Sequence, residues 1–231
     1  MPEVFSMFLD RDELNQKLGG GLPVGAVVLI EGSYGSGKSV VSQRITYGLL
    51  NNGHTVTYVT SELTFRSFLE QMQSLNYPVV SHILEEKLKV FPVYPLLGKS
   101  KKRSNFLGTI MSSPQLFATN VTIFDTFSSL VKYDMRPENV YETLEFFKRI
   151  CLKEKTVIIT IDPSDLGDDV LNAIRGTVDI YLELQTSMIG GELRRNIVVR
   201  RYNLANADVS EIIGFRVVPR IGLLTEIAEV A

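Results

Sequence analysis

Cysteine, histidine, long apolar runs and net charge are all scarce in this chain, and each scarcity removes a class of function. The one cysteine, Cys151, has no partner for an intramolecular disulfide and fits a cytosolic chain, where it reads as a small apolar group inside a helix. The two histidines, His54 and His82, follow no ligand spacing and read as surface or turn residues, so no zinc site is expected. No segment approaches the roughly 18 consecutive apolar residues of a membrane span, so a soluble protein is expected. The start, Met1-Pro2-Glu3-Val4-Phe5, lacks a basic region followed by an apolar one, so no secretory leader is expected. A net charge of −2 supplies no general attraction to nucleic acid or anionic lipid. What remains is ordinary globular material, 231 residues with 45% hydrophobic and 22% charged side chains, enough for a single α/β domain over residues 1–231.

The informative stretch is the apolar run Val27 to Ile30, then Glu31, then Gly32-Ser33-Tyr34-Gly35-Ser36-Gly37-Lys38-Ser39 and Val40. It satisfies G-x-x-x-x-G-K-[ST] in full, between a run that reads as a buried strand and a stretch that reads as a helix. At average residue frequencies chance would produce the pattern about once in a hundred chains of this length. Glycines let the backbone curl so that successive N–H groups and the helix start face a phosphate. Lys38 is placed for the β/γ oxygens, and the Ser39 hydroxyl for Mg²⁺.

Before this loop, Leu14 and Leu18 share one side of a short helix that Gly19-Gly20-Gly21 breaks. After it, Val41, Ile45 and Leu49 repeat at helical spacing up to Gly53. Strands are predicted over 55–60, 88–93, 121–125 and 156–161, and helices over 64–75 and from near Pro137 to about Leu152. The first helix should bury Phe65, Phe68, Leu69 and Met72, and the second Tyr141, Leu144, Phe147 and Ile150. A piece from Phe106 to Ala118 is broken at Pro114. The strand at 121–125 ends in Asp125, the position from which a P-loop protein holds Mg²⁺ opposite Ser39; alone, many strands end in Asp for turn reasons. A strand at 178–184 turns back through Gly190-Gly191 into 196–202, and short runs at 212–218 and 223–227 end the chain. Alternating strands and helices imply a parallel sheet covered on both faces, with antiparallel strands at the C-terminal edge.

In order along the chain, Gly20-Gly21-Leu22-Pro23-x-Gly25, the P-loop, Tyr58-Val59-Thr60-Ser61-Glu62, the strand ending at Asp125 and the hairpin with Arg194-Arg195 and Arg200-Arg201 resemble the KaiC-like group of RecA-like ATPases. The resemblance covers nearly the whole chain and implies a RecA-like P-loop fold with ATP and Mg²⁺ as ligands. KaiC-like domains carry two adjacent glutamates after the second strand, one of which polarises the attacking water; here the pair is Glu62-Leu63. Their finger residues from the next protomer fall, in an ungapped alignment, on Arg201 and Asn203, so one of two charges is kept. A finger is worth about a thousandfold or more in rate, so the departures imply slow or absent hydrolysis. Within the group, the single domain and weakened catalytic set are similar to the accessory ATP-binding proteins of the archaeal flagellum (archaellum). That likeness implies a motor ATPase, a ring-forming scaffold and a membrane platform as partners, with the chain at the cytoplasmic face of the membrane. It also implies a homo-oligomer, for which a hexamer is one form.

Two other readings stay open on the letters. Recombinases of this fold act on DNA, and Lys99-Ser100-Lys101-Lys102-Arg103 would favour that, although such a run reads first as a solvated loop. Against it, the loop after the strand at 156–161 carries Asp162, Asp165, Asp168 and Asp169, which repel phosphate. A clock-type autophosphorylating protein is the third reading. Glu62 could equally be a solvated strand-end carboxylate, and Arg200 and Arg201 exposed strand charges.

Overall fold

The structure, a computed structural model, describes residues 3–93, 105–189 and 191–226, so the basic run at Lys99 to Arg103 lies outside the described residues. In chain order the strands are β1 (Val4–Phe5), β2 (Leu22–Pro23), β3 (Val27–Gly32), β4 (Val56–Thr60), β5 (Leu88–Pro92) and β6 (Val121–Asp125). They continue with β7 (Thr156–Ile161), β8 (Ile180–Ile189), β9 (Glu192–Tyr202), β10 (Ile212–Val218) and β11 (Gly222–Glu226). The helices are α1 (Leu14–Lys17), α2 (Lys38–Asn51), α3 (Phe65–Ser74), α4 (Val80–Leu84), α5 (Phe106–Met111), α6 (Phe127–Val131), α7 (Val140–Cys151) and α8 (Asp168–Thr177).

Nine strands form one sheet in the order β11-β10-β9-β8-β3-β7-β6-β4-β5. From β8 to β5 the neighbours are parallel; β9, β10 and β11 add antiparallel at the other edge. Central strands buried on both faces need apolar residues at successive positions, and Val27-Val28-Leu29-Ile30 supplies them. Val28 and Ile30 face one layer, with Val41, Ile45 and Leu49 of α2 and Phe68 and Met72 of α3. Val27 and Leu29 face the other, with Leu107 of α5, Phe127 of α6, Leu144 and Phe147 of α7 and Ile174 of α8.

Helix α2 is buried nearly all round, because the N-terminal segment lies over it. Its Arg44 is fully buried and forks onto Asp12, with Nη2 at 2.6 Å and Nε at 3.0 and 3.1 Å from the carboxylate oxygens, while Nη1 donates to the Met7 carbonyl at 2.6 Å. The segment preceding the P-loop is thereby tied to the helix that follows it.

Two side chains depart from the sequence expectation. Phe65 opens α3 and is 42% exposed; Tyr141 is 63% exposed, because α7 starts at Val140 and its buried stripe runs through Val140, Thr143, Leu144, Phe147 and Cys151. Pro114 splits the 106–118 piece into α5 and a 3-10 turn, Pro114–Phe117.

Candidate functional site

Parallel strands deliver their carboxyl ends to one edge of the sheet, where open α/β sheets bind ligands. Here that edge brings together Gly32 of β3, Asp125 of β6, Glu62 beyond β4 and Asp162 beyond β7. The register explains the meeting: Thr60 is opposite Asp125, and Glu31 is opposite Ile161.

The loop between β3 and α2 turns through Gly35 (φ 79°) and Gly37 (φ 102°), left-handed conformations that cost a side-chain-bearing residue energy. A Cβ on Gly37 would also stand 3.2 Å from the Phe215 ring. The turn presents the start of α2, whose first N–H groups have no partner within the helix. Lys38 Nζ donates to the carbonyls of Gly32 at 2.5 Å and Ser33 at 2.9 Å and stands 3.6 Å from Asp162 Oδ2. The Ser36 hydroxyl, also in the loop, is buried and has no hydrogen-bond partner.

Ser39 Oγ donates to Asp125 Oδ1 at 3.2 Å, the juxtaposition expected from the sequence. Asp125 is 2% exposed and also accepts from Tyr58 Oη at 2.9 Å and Thr160 Oγ1 at 3.3 Å. Burial pushes its carboxyl up to about 6; hydrogen bonds from Tyr58 and Ser39 pull the other way, and the negative charge of Glu62 adds to the rise. Burial likewise lifts the Tyr58 phenol well above its usual value, with the Asp125 charge adding to it. A hydroxyl beside a carboxylate is a hard-oxygen donor pair and suits Mg²⁺ completed by phosphate oxygens and water. The next residue, Thr126, has φ 60°, an unusual conformation for a β-branched residue, and its N–H donates to Thr160 Oγ1 at 2.6 Å.

Above these residues opens a cavity of about 610 Å³, with Lys38, Ser39, Glu62, Asp162, Asp165 and Arg195 in its walls. A volume of this order is that of a small-molecule or cofactor site. Glu62 is exposed at its rim, followed by Leu63. Arg195 was legible only as one of four hairpin arginines; the sheet order brings it over the P-loop, with Cδ 3.6 Å from the place of a Gly37 Cβ.

Arg201 is not in this cavity wall. Its Nη1 donates to the carbonyls of Arg175 at 2.8 Å, Gly176 at 3.3 Å and Val178 at 2.8 Å, closing the C-terminal end of α8. Arg200 pairs with Glu183 at 2.7 Å. A register shift between Tyr181/Arg201 and Leu182/Val199 leaves Arg200 as the extra residue, a bulge that strict alternation along β9 could not anticipate. Glu31, only 4% exposed, accepts from Arg175 at both oxygens and from Tyr181 Oη at 3.0 Å, so the strand leading into the P-loop is fastened to α8.

Comparison with known proteins agrees with this geometry. The KaiC ATPase family model matches residues 12–214. An archaeal flagellar ATP-binding protein, FlaH, of Methanocaldococcus jannaschii is 39% identical over 229 residues, covering 99% of this chain and 98% of its own. The FlaH of Methanococcus voltae is 32% identical over 223 residues, covering 96% and 97%. The crystal structure of flagellar accessory protein FlaH from M. jannaschii matches with a TM-score of 0.93 at 38% identity, over 98% of this chain and 100% of that one.

Proposed function

Because this chain belongs to the KaiC-like ATPase family, and within it to the FlaH proteins of archaeal flagella, we propose that it is one ATP-binding domain that regulates the archaellum motor. The single observation that carries the reading is the P-loop cavity with Lys38 and Ser39 in its wall and the buried Asp125 carboxylate behind Ser39, 3.2 Å from its hydroxyl. In it the backbone of residues 32–40 holds the phosphates, and Lys38 turns from the Gly32 and Ser33 carbonyls to the β/γ oxygens. Ser39 and Asp125 would hold Mg²⁺, which would supply positive charge against the phosphates.

Glu62 is the residue to orient and deprotonate a water. With Leu63 in place of a second carboxylate, hydrolysis is slow or absent. Arg201 supplies charge to the site of a neighbouring copy in a homo-oligomer, at the expense of its α8 contacts. The nucleotide state then governs assembly with the motor ATPase, the scaffold ring and the membrane platform, at the cytoplasmic face of the membrane. Among the described residues no helix is long and apolar enough to cross a membrane, so attachment runs through partners.

The test is phosphate release with Mg²⁺-ATP by the unmodified protein and by Glu62→Gln, together with recovery of partners with and without ATP. Slow release that Glu62→Gln abolishes, and partner recovery that depends on ATP, are expected. Turnover at the rates of a working motor would contradict the regulatory reading.

A further inference from the structure

The P-loop lysine is already engaged. Two of its three ammonium protons go to the Gly32 and Ser33 carbonyls, and the remaining side of Nζ faces Asp162 Oδ2 at 3.6 Å. Both side chains are largely enclosed, Lys38 at 9% and Asp162 at 15% exposure, so solvent does little to screen the pair.

Asp162 cannot simply rotate aside. Its Oδ1 is held by the Ser164 N–H at 3.0 Å and the Ser164 hydroxyl at 2.7 Å. Its backbone N–H donates to Ser128 Oγ at 3.0 Å, and that hydroxyl donates to Asp165 Oδ2 at 2.9 Å. The other Asp165 oxygen stands 3.5 Å from Lys132 Nζ. The carboxylate is therefore fixed by its own turn, Pro163–Asp165, and the turn by α6.

Resting on the nucleotide reading above, we propose that Asp162 is a specificity-determining residue that competes with the terminal phosphate of a nucleoside triphosphate for Lys38. A diphosphate draws on Lys38 with its β-phosphate alone, held otherwise by loop amides and the start of α2. A triphosphate must bring its γ-phosphate to Lys38, beside a fixed negative charge. Like charges at that range in an enclosed site repel strongly, so the site holds the triphosphate less tightly than one with a neutral residue at 162. Asp162 thus sets how the bound state follows the ratio of tri- to diphosphate.

Calorimetric titration of ATP and ADP, each with excess Mg²⁺, into the full chain and its Asp162→Asn variant tests this. Asparagine keeps the Oδ1 contacts to Ser164 and removes the charge. ATP affinity should rise at least tenfold and ADP affinity change less than threefold, and Asp162→Ser should move the ratio the same way. Asp168→Asn, an exposed carboxylate at the start of α8 outside the cavity wall, should leave both affinities within about twofold. Equal gains for ATP and ADP, or a loss of ATP affinity, would overturn the proposal while leaving the nucleotide reading intact. Binding of neither nucleotide by the unmodified protein would overturn both.

Discussion

Replacing Asp125 with asparagine should raise the stability of the nucleotide-free protein near neutral pH and remove its response to magnesium. The folded-state carboxyl sits at about 6 against an ordinary 3.8, because it is buried. Since the folded value lies above the unfolded one, the folded chain binds this proton more tightly. Its ionisation therefore costs nothing well below pH 3.8, costs progressively more as pH rises through the window to about 6, and reaches a plateau above it. At 1.36 kcal/mol per pKa unit the plateau is about 3 kcal/mol, and about half of that accrues between pH 5 and pH 8. Asparagine retains an oxygen for Ser39 and Thr160 but leaves the buried Tyr58 hydroxyl without its carboxylate acceptor, a loss of about 1 kcal/mol that does not depend on pH in this range. The variant should therefore gain stability relative to the parent by about 1–2 kcal/mol more at pH 8 than at pH 5. Urea denaturation at the two pH values, followed by far-UV circular dichroism because the chain has no tryptophan, measures this. Mg²⁺ with ATP should stabilise the parent and not the variant. A stability difference from the parent that is the same at both pH values, or less favourable to the variant at pH 8, would refute the reasoning.

Arg44→Met should cost about 3–5 kcal/mol, because it leaves the Asp12 charge buried and unpaired; the Arg44→Met, Asp12→Leu double variant should recover most of the loss in thermal denaturation. Arg201→Ala should cost about 1–2 kcal/mol through the lost contacts to the α8 carbonyls. It should leave ATP affinity within about threefold and reduce phosphate release; reduced affinity with unchanged release would exclude the role in a neighbour's site.

How far the fold could be read depended on how local its causes are. β6 and β7 begin and end where the predicted strands 121–125 and 156–161 do, because a strand buried on both faces writes itself as a nearly continuous apolar stretch. β8 continues beyond the predicted end at 184 and β9 begins before the predicted start at 196, since polar residues such as the exposed Gln185 and Thr186 carry no apolar pattern. The β1–β2 pair and the short α4 and α6 have too few residues for a period to show. In the site, the P-loop and Asp125 were legible because their spacing is chemical. The Arg44–Asp12 pair, the approach of Arg195 to Gly37 and the hold of Asp162 on Lys38 join residues far apart in the chain, so only the folded sheet brings them together. Among the described residues none pairs or hydrogen-bonds with the Glu62 side chain at the cavity rim, which fits a carboxylate kept for a ligand as well as a solvated one.

Titration of Mg²⁺-ATP into the full chain and into Lys38→Ala, followed by calorimetry, bears most directly on the grip of the P-loop. Saturable binding of one nucleotide per chain, weakened about a hundredfold or more by the substitution, is the predicted result, since a charged hydrogen bond to phosphate contributes about 1.5–3 kcal/mol and Lys38 makes more than one. Equal affinity in the two proteins, or no binding to the unmodified chain, would contradict it.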